Sequence, residues 1–266
     1  MVRNLYINKI LWLLTAFLSL VAALVGVFSP GIYQTVVKAD IIPGIFGQDL
    51  MTIVAAAVII LLAICTKKEN TFKQILILGI IGYLFYAYGI YVIERIYNLL
   101  YYLYLAIFGL SFWSLAYGIG KIDHEIIGKV RMSRLMLKIS AGFSLFVALV
   151  FCVLWIVQLL PLLQAGEKIE FFYSVFILDL CFIMPAFAIT GVMAFRKAGL
   201  GLLLIPAMFV LGFTLIFSLA VSELVKPLYG LDFDIVGLLP SLVLSILFLI
   251  LAALHLRSLK AGDEKA

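Results

Sequence analysis

The chain has 266 residues, 66% hydrophobic and 12% charged, with a formal net charge of +5 and a mean hydropathy of +1.24. Soluble domains carry about 25% charged residues, so this composition excludes a water-soluble fold, which could not cover so much apolar surface with polar groups. The basic residues fall in short segments between apolar runs rather than in one patch, which excludes nucleic acid as a partner and points to membrane orientation.

A membrane-spanning helix needs about 20 mostly apolar residues. The first run, 10–29, has that length and lacks a small-residue cleavage site, so it reads as a retained span rather than a signal peptide. The second, 50–65, is short and is expected to begin near Phe46, with Gln48 and Asp49 in its first turn. Runs 74–93 and 97–118 are separated by Glu94, Arg95 and Asn98, which predicts a tight helical hairpin. A basic segment, 119–138, follows. Four more runs complete the series at 139–159, 171–195, 199–222 and 236–256, with Pro185 and Pro206 expected to kink two of them. The tail from 258 onward is short and solvated. The expectation is an all-α, polytopic protein of about eight transmembrane helices.

With the N-terminus inside, fifteen of the nineteen Lys and Arg fall on inner segments, and only Lys38, Arg95, Lys168 and Lys226 fall outside. By the positive-inside rule this predicts a cell-membrane protein with both termini cytoplasmic. Asp40, Asp49, Glu94, Glu167, Glu170, Glu223, Asp232 and Asp234 then lie outside or at the outer boundary. Three cysteines, Cys65, Cys152 and Cys181, sit in apolar runs at spacings that suit packing rather than a metal or redox pair.

Sparse landmarks recur at a nearly constant offset. Lys9 and Lys138 are 129 apart, Pro30 and Pro161 131, Asp49 and Asp179 130, Lys67 and Arg196 129, Gly82 and Gly212 130, and Glu94 and Glu223 129. This predicts two parallel four-helix repeats, 1–118 and 139–266, joined by the cytoplasmic linker 119–138 and related by an axis along the membrane normal. Asp49 precedes Lys67 by 18 residues and Asp179 precedes Arg196 by 17, or about 26 to 27 Å of helix at 1.5 Å per residue. Both aspartates are therefore expected near the outer edge of a hydrocarbon core about 30 Å thick. The preceding segments, 31–46 and 162–176, are expected to be partly re-entrant or interfacial.

The motifs Gly47-Gln48-Asp49-Leu50, Gly82-Tyr83-Leu84-Phe85-Tyr86-Ala87-Tyr88, and Leu178-Asp179-Leu180 followed by Pro185, Gly191 and Arg196 resemble those of an uncharacterised family of prokaryotic multi-spanning membrane proteins. The resemblance covers the second to seventh spans and implies no activity; the family often has Asn where this chain has Ala87. Haem A synthase shares the layout of eight spans in two copies, but it needs histidine ligands within its helices. Here His124 falls in the inner linker and His255 at the inner end of the last span, so no haem is expected.

Ionisable groups near the hydrocarbon core usually face the bundle interior or a watery cavity. Asp49, Asp179, Glu94 and Glu223 form two related pairs on the outer side, with Gln48 beside the first and Arg95 and Lys226 placed to pair with the glutamates. The aspartates read either as cavity groups or as helix N-caps, and the glutamates either as cavity groups or as boundary charges. Eight of the thirteen tyrosines lie between Tyr83 and Tyr104. An aromatic belt explains those at the interface, but Tyr83 lies 11 residues before Glu94, about 16 Å deep. Tyr83 and Tyr86 are therefore expected to face other helices or a hydroxyl-lined pocket.

The polar set predicts an outward-facing cavity, lined by acids and tyrosines, that transports or binds a small solute or amphiphile. A membrane-embedded enzyme acting on lipid at the outer face, and an accessory subunit of a membrane complex, are the alternatives. The enzyme is disfavoured by the scarcity of histidine and by the absence of a nucleophile with a partner base. Ser111, Ser114, Ser218 and Thr190 read as packing groups, and no phosphate loop, dinucleotide fingerprint or HExxH motif appears, so no cofactor or metal is expected. Membrane lipid is the expected partner, and the basic linker suits anionic headgroups.

Overall fold

In lipid every backbone polar group must be satisfied internally, so apolar runs of this length close into helices. A computed structural model describes residues 1–166 and 172–261. Glu167, Lys168 and Glu170, expected on the outer side, and Lys265, one of the fifteen basic residues counted on inner segments, lie outside the described residues.

The helices in chain order are α1 (Leu5–Phe28), the short α2 (Gly31–Gln34), α3 (Ile42–Cys65), α4 (Thr71–Ile93), α5 (Tyr101–Gly120), the short α6 (His124–Lys129), α7 (Arg134–Ala165), α8 (Tyr173–Leu178), α9 (Met184–Phe195), α10 (Gly199–Val225) and α11 (Ile235–Ser258). A π-helical turn, Asp179–Ile183, joins α8 to α9, so Tyr173–Phe195 is one continuous span. Among the described residues eight helices are long and apolar enough to cross a membrane. A two-residue antiparallel pair, β1 (Val130–Arg131) with β2 (Lys260–Ala261), and a 3-10 turn at Lys226–Tyr229 are the additions to an otherwise all-helical chain.

Several boundaries differ from expectation. The second span starts at Ile42 rather than near Phe46, which puts Asp49 seven residues inside it instead of in its first turn. Residues 162–165 continue α7 through Pro161 instead of turning back into the membrane. The hairpin at Glu94 forms as predicted, between α4 and α5.

The packing follows one scheme in each set of four spans. In the first, α1 packs on α3, α4 on α5, and α1 on α5. In the last, α7 packs on α9, α10 on α11, and α7 on α11. The two sets meet mainly through α4 and α10, with α10 also against α3. Close approach there depends on small residues, as between membrane helices generally. A side chain at Gly79 would overlap the Ala207 carbonyl and Val210 of α10.

His255 shows how a proline is accommodated inside α10. Pro206 has no N–H, so the carbonyl of Leu202, four residues earlier, loses its helical donor. His255 Nε2 lies 2.8 Å from that carbonyl, and its Nδ1 lies 2.8 Å from the Ser140 hydroxyl. A carbonyl only accepts, so Nε2 carries the hydrogen and Nδ1 accepts from Ser140. Both ring nitrogens are engaged in tying α11 to α7 and α10.

The N-terminus, the α3–α4 turn, the linker and the last described residues meet at one end. Met1 N donates to Lys68 O at 2.9 Å, Arg3 N to Lys121 O at 2.8 Å, and β1 pairs with β2. An even number of crossings requires this. Asp40, Glu94 and Asp232 belong to the turns at the opposite end.

Candidate functional site

Asp49 and Asp179 occupy comparable places, about two turns into the second and sixth spans, and have different surroundings. Asp49 is 1% exposed. Tyr33, on α2, donates to its Oδ2 at 2.7 Å and Tyr91, on α4, donates to its Oδ1 at 2.9 Å. Burial and the adjacent carboxylate push the Tyr33 hydroxyl well above the usual tyrosine range, so it stays a donor. Gly26 on α1 makes room, since any side chain there would overlap the carboxylate and the Tyr33 hydroxyl. Tyr104 donates toward the Tyr33 hydroxyl at 3.5 Å, and Tyr88 donates to Ser19 O at 3.0 Å. The rings of Tyr88, Tyr91 and Tyr104 lie 4.9 to 5.9 Å apart. Tyrosine rings thus fill the space around Asp49, and its carboxylate caps no helix.

Asp179 is 4% exposed and begins the π turn. Its Oδ2 accepts from Trp155 Nε1 at 2.6 Å, and the Tyr86 hydroxyl is a second hydrogen-bond partner of the carboxylate. Its Oδ1 has no hydrogen-bond partner among the described residues. This carboxylate also lies within a helical span and caps nothing. The π turn has a local cause, because Pro185 cannot supply an N–H to Cys181 O, and Met184 N bonds instead to Asp179 O, five residues back. Such turns widen a helix by one residue and re-aim its side chains, often at functional sites.

Asp179 faces a cavity of about 650 Å³ between α3, α4, α7, the sixth span, α10 and α11. The size is that of a ligand pocket, about 300 to 1,000 Å³. The wall is largely apolar, with Phe151, Phe187, Leu215 and Phe248 contributing. Its deep end is set by Gly212 and Phe248, each 13 residues from the end of its helix that lies opposite the chain termini, which is about 20 Å of helix. The cavity therefore runs from one membrane face to near mid-span.

The rim holds the glutamates. Glu223 pairs with Lys226 at 2.6 Å, as expected. Glu94 does not pair with Arg95. Its Oε1 accepts from Ser174 N at 2.8 Å and Ser174 Oγ at 2.6 Å, closing the first turn of α8, while Arg95 turns outward in a left-handed conformation (φ 56°).

Of the sequence-derived site residues, Asp179, Glu94, Glu223, Gln48 and Tyr86 line the cavity. Asp49 and Tyr83 are buried in helix packing, with Tyr83 donating to Gln48 O at 3.0 Å and within 3.2 Å of the Thr52 hydroxyl. Arg95 is on the surface. Sequence reasoning missed Trp155, whose signal was an indole N–H in an apolar run, a group that seeks an acceptor when buried. It also missed Tyr33, which sits on a short helix with no periodicity to mark it. Among the described residues no three His, Cys, Asp or Glu come together to hold a metal ion. No protein-family model, curated protein or solved structure matches this chain.

Proposed function

We propose that the protein binds, and moves across or within the membrane, a small amphiphile taken into the cavity from the outer side. The observation that carries this is a largely apolar cavity that reaches near mid-span, with the buried Asp179 among its lining residues. Apolar walls with a few placed polar groups are the ordinary form of a ligand site. The charge asymmetry of the loops supports an outward-facing mouth with both termini cytoplasmic. The hydrogen bond and ring contact that tie α7 to α11 lie from Phe248 inward, at Phe143–Phe248 and Ser140–His255. Their halves nearer the cavity mouth line it through Trp155, Gln158, Gly237 and Ser241, and entry between them from the outer leaflet is part of this reading.

The two sets of four spans read as copies, 1–118 and 139–266, about the linker 119–138. Support comes from their common packing scheme and from matched buried positions, Thr15 with Ser144, Ser111 with Ser245, and Gly118 with Ala252. On the same registers Gly26 corresponds to Trp155 and Tyr88 to Ser218. In this reading one copy is filled by tyrosine and serves as scaffold, while the other keeps its space open. The resemblance at the Gly-Gln-Asp-Leu, tyrosine and Leu-Asp-Leu motifs brings no activity with it and leaves the cavity as the argument.

Tryptophan quenching tests the reading. In a Trp12→Phe, Trp113→Phe protein only Trp155 emits. A neutral amphiphile with a brominated chain should quench it saturably, and Ser218→Tyr should abolish the saturable part. Quenching that rises linearly with membrane loading in both proteins would contradict the proposal. Counterflow in proteoliposomes, compared with lipid turnover in the same vesicles, separates transport from enzymatic action on the bound amphiphile.

A further inference from the structure

A second recess, of about 390 Å³, lies in the half of the molecule nearer the chain termini. It follows the seam where the two sets of four spans meet. Its floor is α4 and α10, at Gly79, Gly82 and Ala207, and its walls are α5 and α9. On those walls Phe112, Phe182 and Ile189 are exposed, so the recess is a groove open sideways to the bilayer. None of its described lining residues is ionisable, and the Thr190 hydroxyl donates back to Ala186 O at 2.7 Å. We propose that this groove holds one acyl chain of an anionic phospholipid from the leaflet on that side, with the phosphate beside Arg196 and Lys197. The proposal does not depend on the cavity reading above.

Depth and charge select the occupant. On α10 the groove runs from Leu204 to Leu211, 5 and 12 residues from Gly199, or about 8 to 18 Å of helix. One leaflet supplies about half of a hydrocarbon core about 30 Å thick, so the groove has the depth of a single acyl chain. Phe85 closes it near mid-span, stacked on Phe108 at 4.9 Å and edge-on to Phe182 at 5.6 Å. A chain therefore enters from the end near the termini. There the α9–α10 turn carries Arg196 and Lys197, both exposed and neither in an ion pair among the described residues. Arg196 lies seven residues beyond Ile189, two helical turns, and so falls on the groove's face of α9. Lys121 ends the α5 wall, two residues beyond Ile119. The acids nearby in the chain are Asp123, which Arg3 holds at 3.5 Å, and the exposed Glu125. Basic pockets between membrane helices suit anionic headgroups, and an acyl chain on the floor covers the small residues that let α4 and α10 approach.

The test is native mass spectrometry of the whole protein in uncharged detergent, with equal amounts of palmitoyl-oleoyl phosphatidylglycerol and phosphatidylcholine. Wild type should retain phosphatidylglycerol at least about 10-fold more than phosphatidylcholine, the ratio expected of two basic side chains beside one phosphate. Arg196→Gln with Lys197→Gln should bring the two lipids close to parity. Arg134→Gln with Lys138→Gln removes the same charge from the same end of the molecule, at exposed positions on α7, and should leave the preference intact. Ala116→Trp and Ile189→Trp, at exposed positions on the two walls, fill the groove and should lower retention of both lipids together. Val192→Trp, exposed on α9 outside the groove, should not. No preference in wild type, or equal loss from the two charge pairs, would overturn the headgroup assignment and leave only a generally basic surface. Phosphatidylglycerol retained as in wild type by both wall variants would overturn the groove as the site.

Discussion

Asp49 and Asp179 are the same residue type at the same depth, and substitution should separate their roles. At Asp49 two hydroxyls converge on one carboxylate, and asparagine offers only one acceptor oxygen to them. Asp49→Asn is therefore expected to lower stability by about 1 to 3 kcal/mol, the cost of leaving a buried donor unpaired. At Asp179 the Trp155 N–H, 2.6 Å away, can still bond an amide oxygen. Asp179→Asn should melt close to wild type, with its effect falling on ligand binding. Thermal unfolding of both variants in detergent measures the contrast; equal losses would contradict it. The residue types of the site were legible in the sequence because ionisable groups are rare in these runs. Their partners were not. Which oxygen is satisfied depends on Tyr33 and Trp155, brought in from elements 16 and 24 residues away by packing that no local pattern records.

Helices were the most legible level, because span length is fixed by bilayer thickness and charged residues mark the turns. The misplaced start of α3 has a plain cause. Residues 42–48 contain two glycines and a proline, which read as a turn, yet Pro43 sits in the first turn of the helix, where its missing N–H costs nothing. The π turn before Pro185 was legible only as a kink. The His255 latch suggests a sharper test of how prolines are tolerated here. His255→Phe should cost about 1 to 3 kcal/mol by stranding the Leu202 carbonyl. Pro206→Ala restores the N–H that carbonyl lacks, so the double variant should recover part of the loss. A double-mutant cycle in thermal unfolding with no coupling between the two positions would contradict this account.

At the scale of the whole molecule, the gathering of both described chain ends and the linker at one end makes the topology testable. After replacement of Cys65, Cys152 and Cys181, an impermeant thiol reagent added to intact cells should label Asp40→Cys and Asp232→Cys but not Lys129→Cys, all three positions being exposed. Strong labelling at position 129 would invert the orientation and turn the cavity mouth to the cytoplasm. The even span number was legible from hydropathy. The unequal filling of the two sets of four spans was not, because it depends on whether a ring or a hydroxyl stands at Tyr88 and Ser218. That asymmetry is what the proposed function needs. The most direct measurement is an experimental density map of the protein purified in lipid nanodiscs. The account predicts elongated non-protein density in the cavity beside Asp179, absent from the Ser218→Tyr protein. A wild-type map in which side chains close over Asp179 and leave no such space would contradict it.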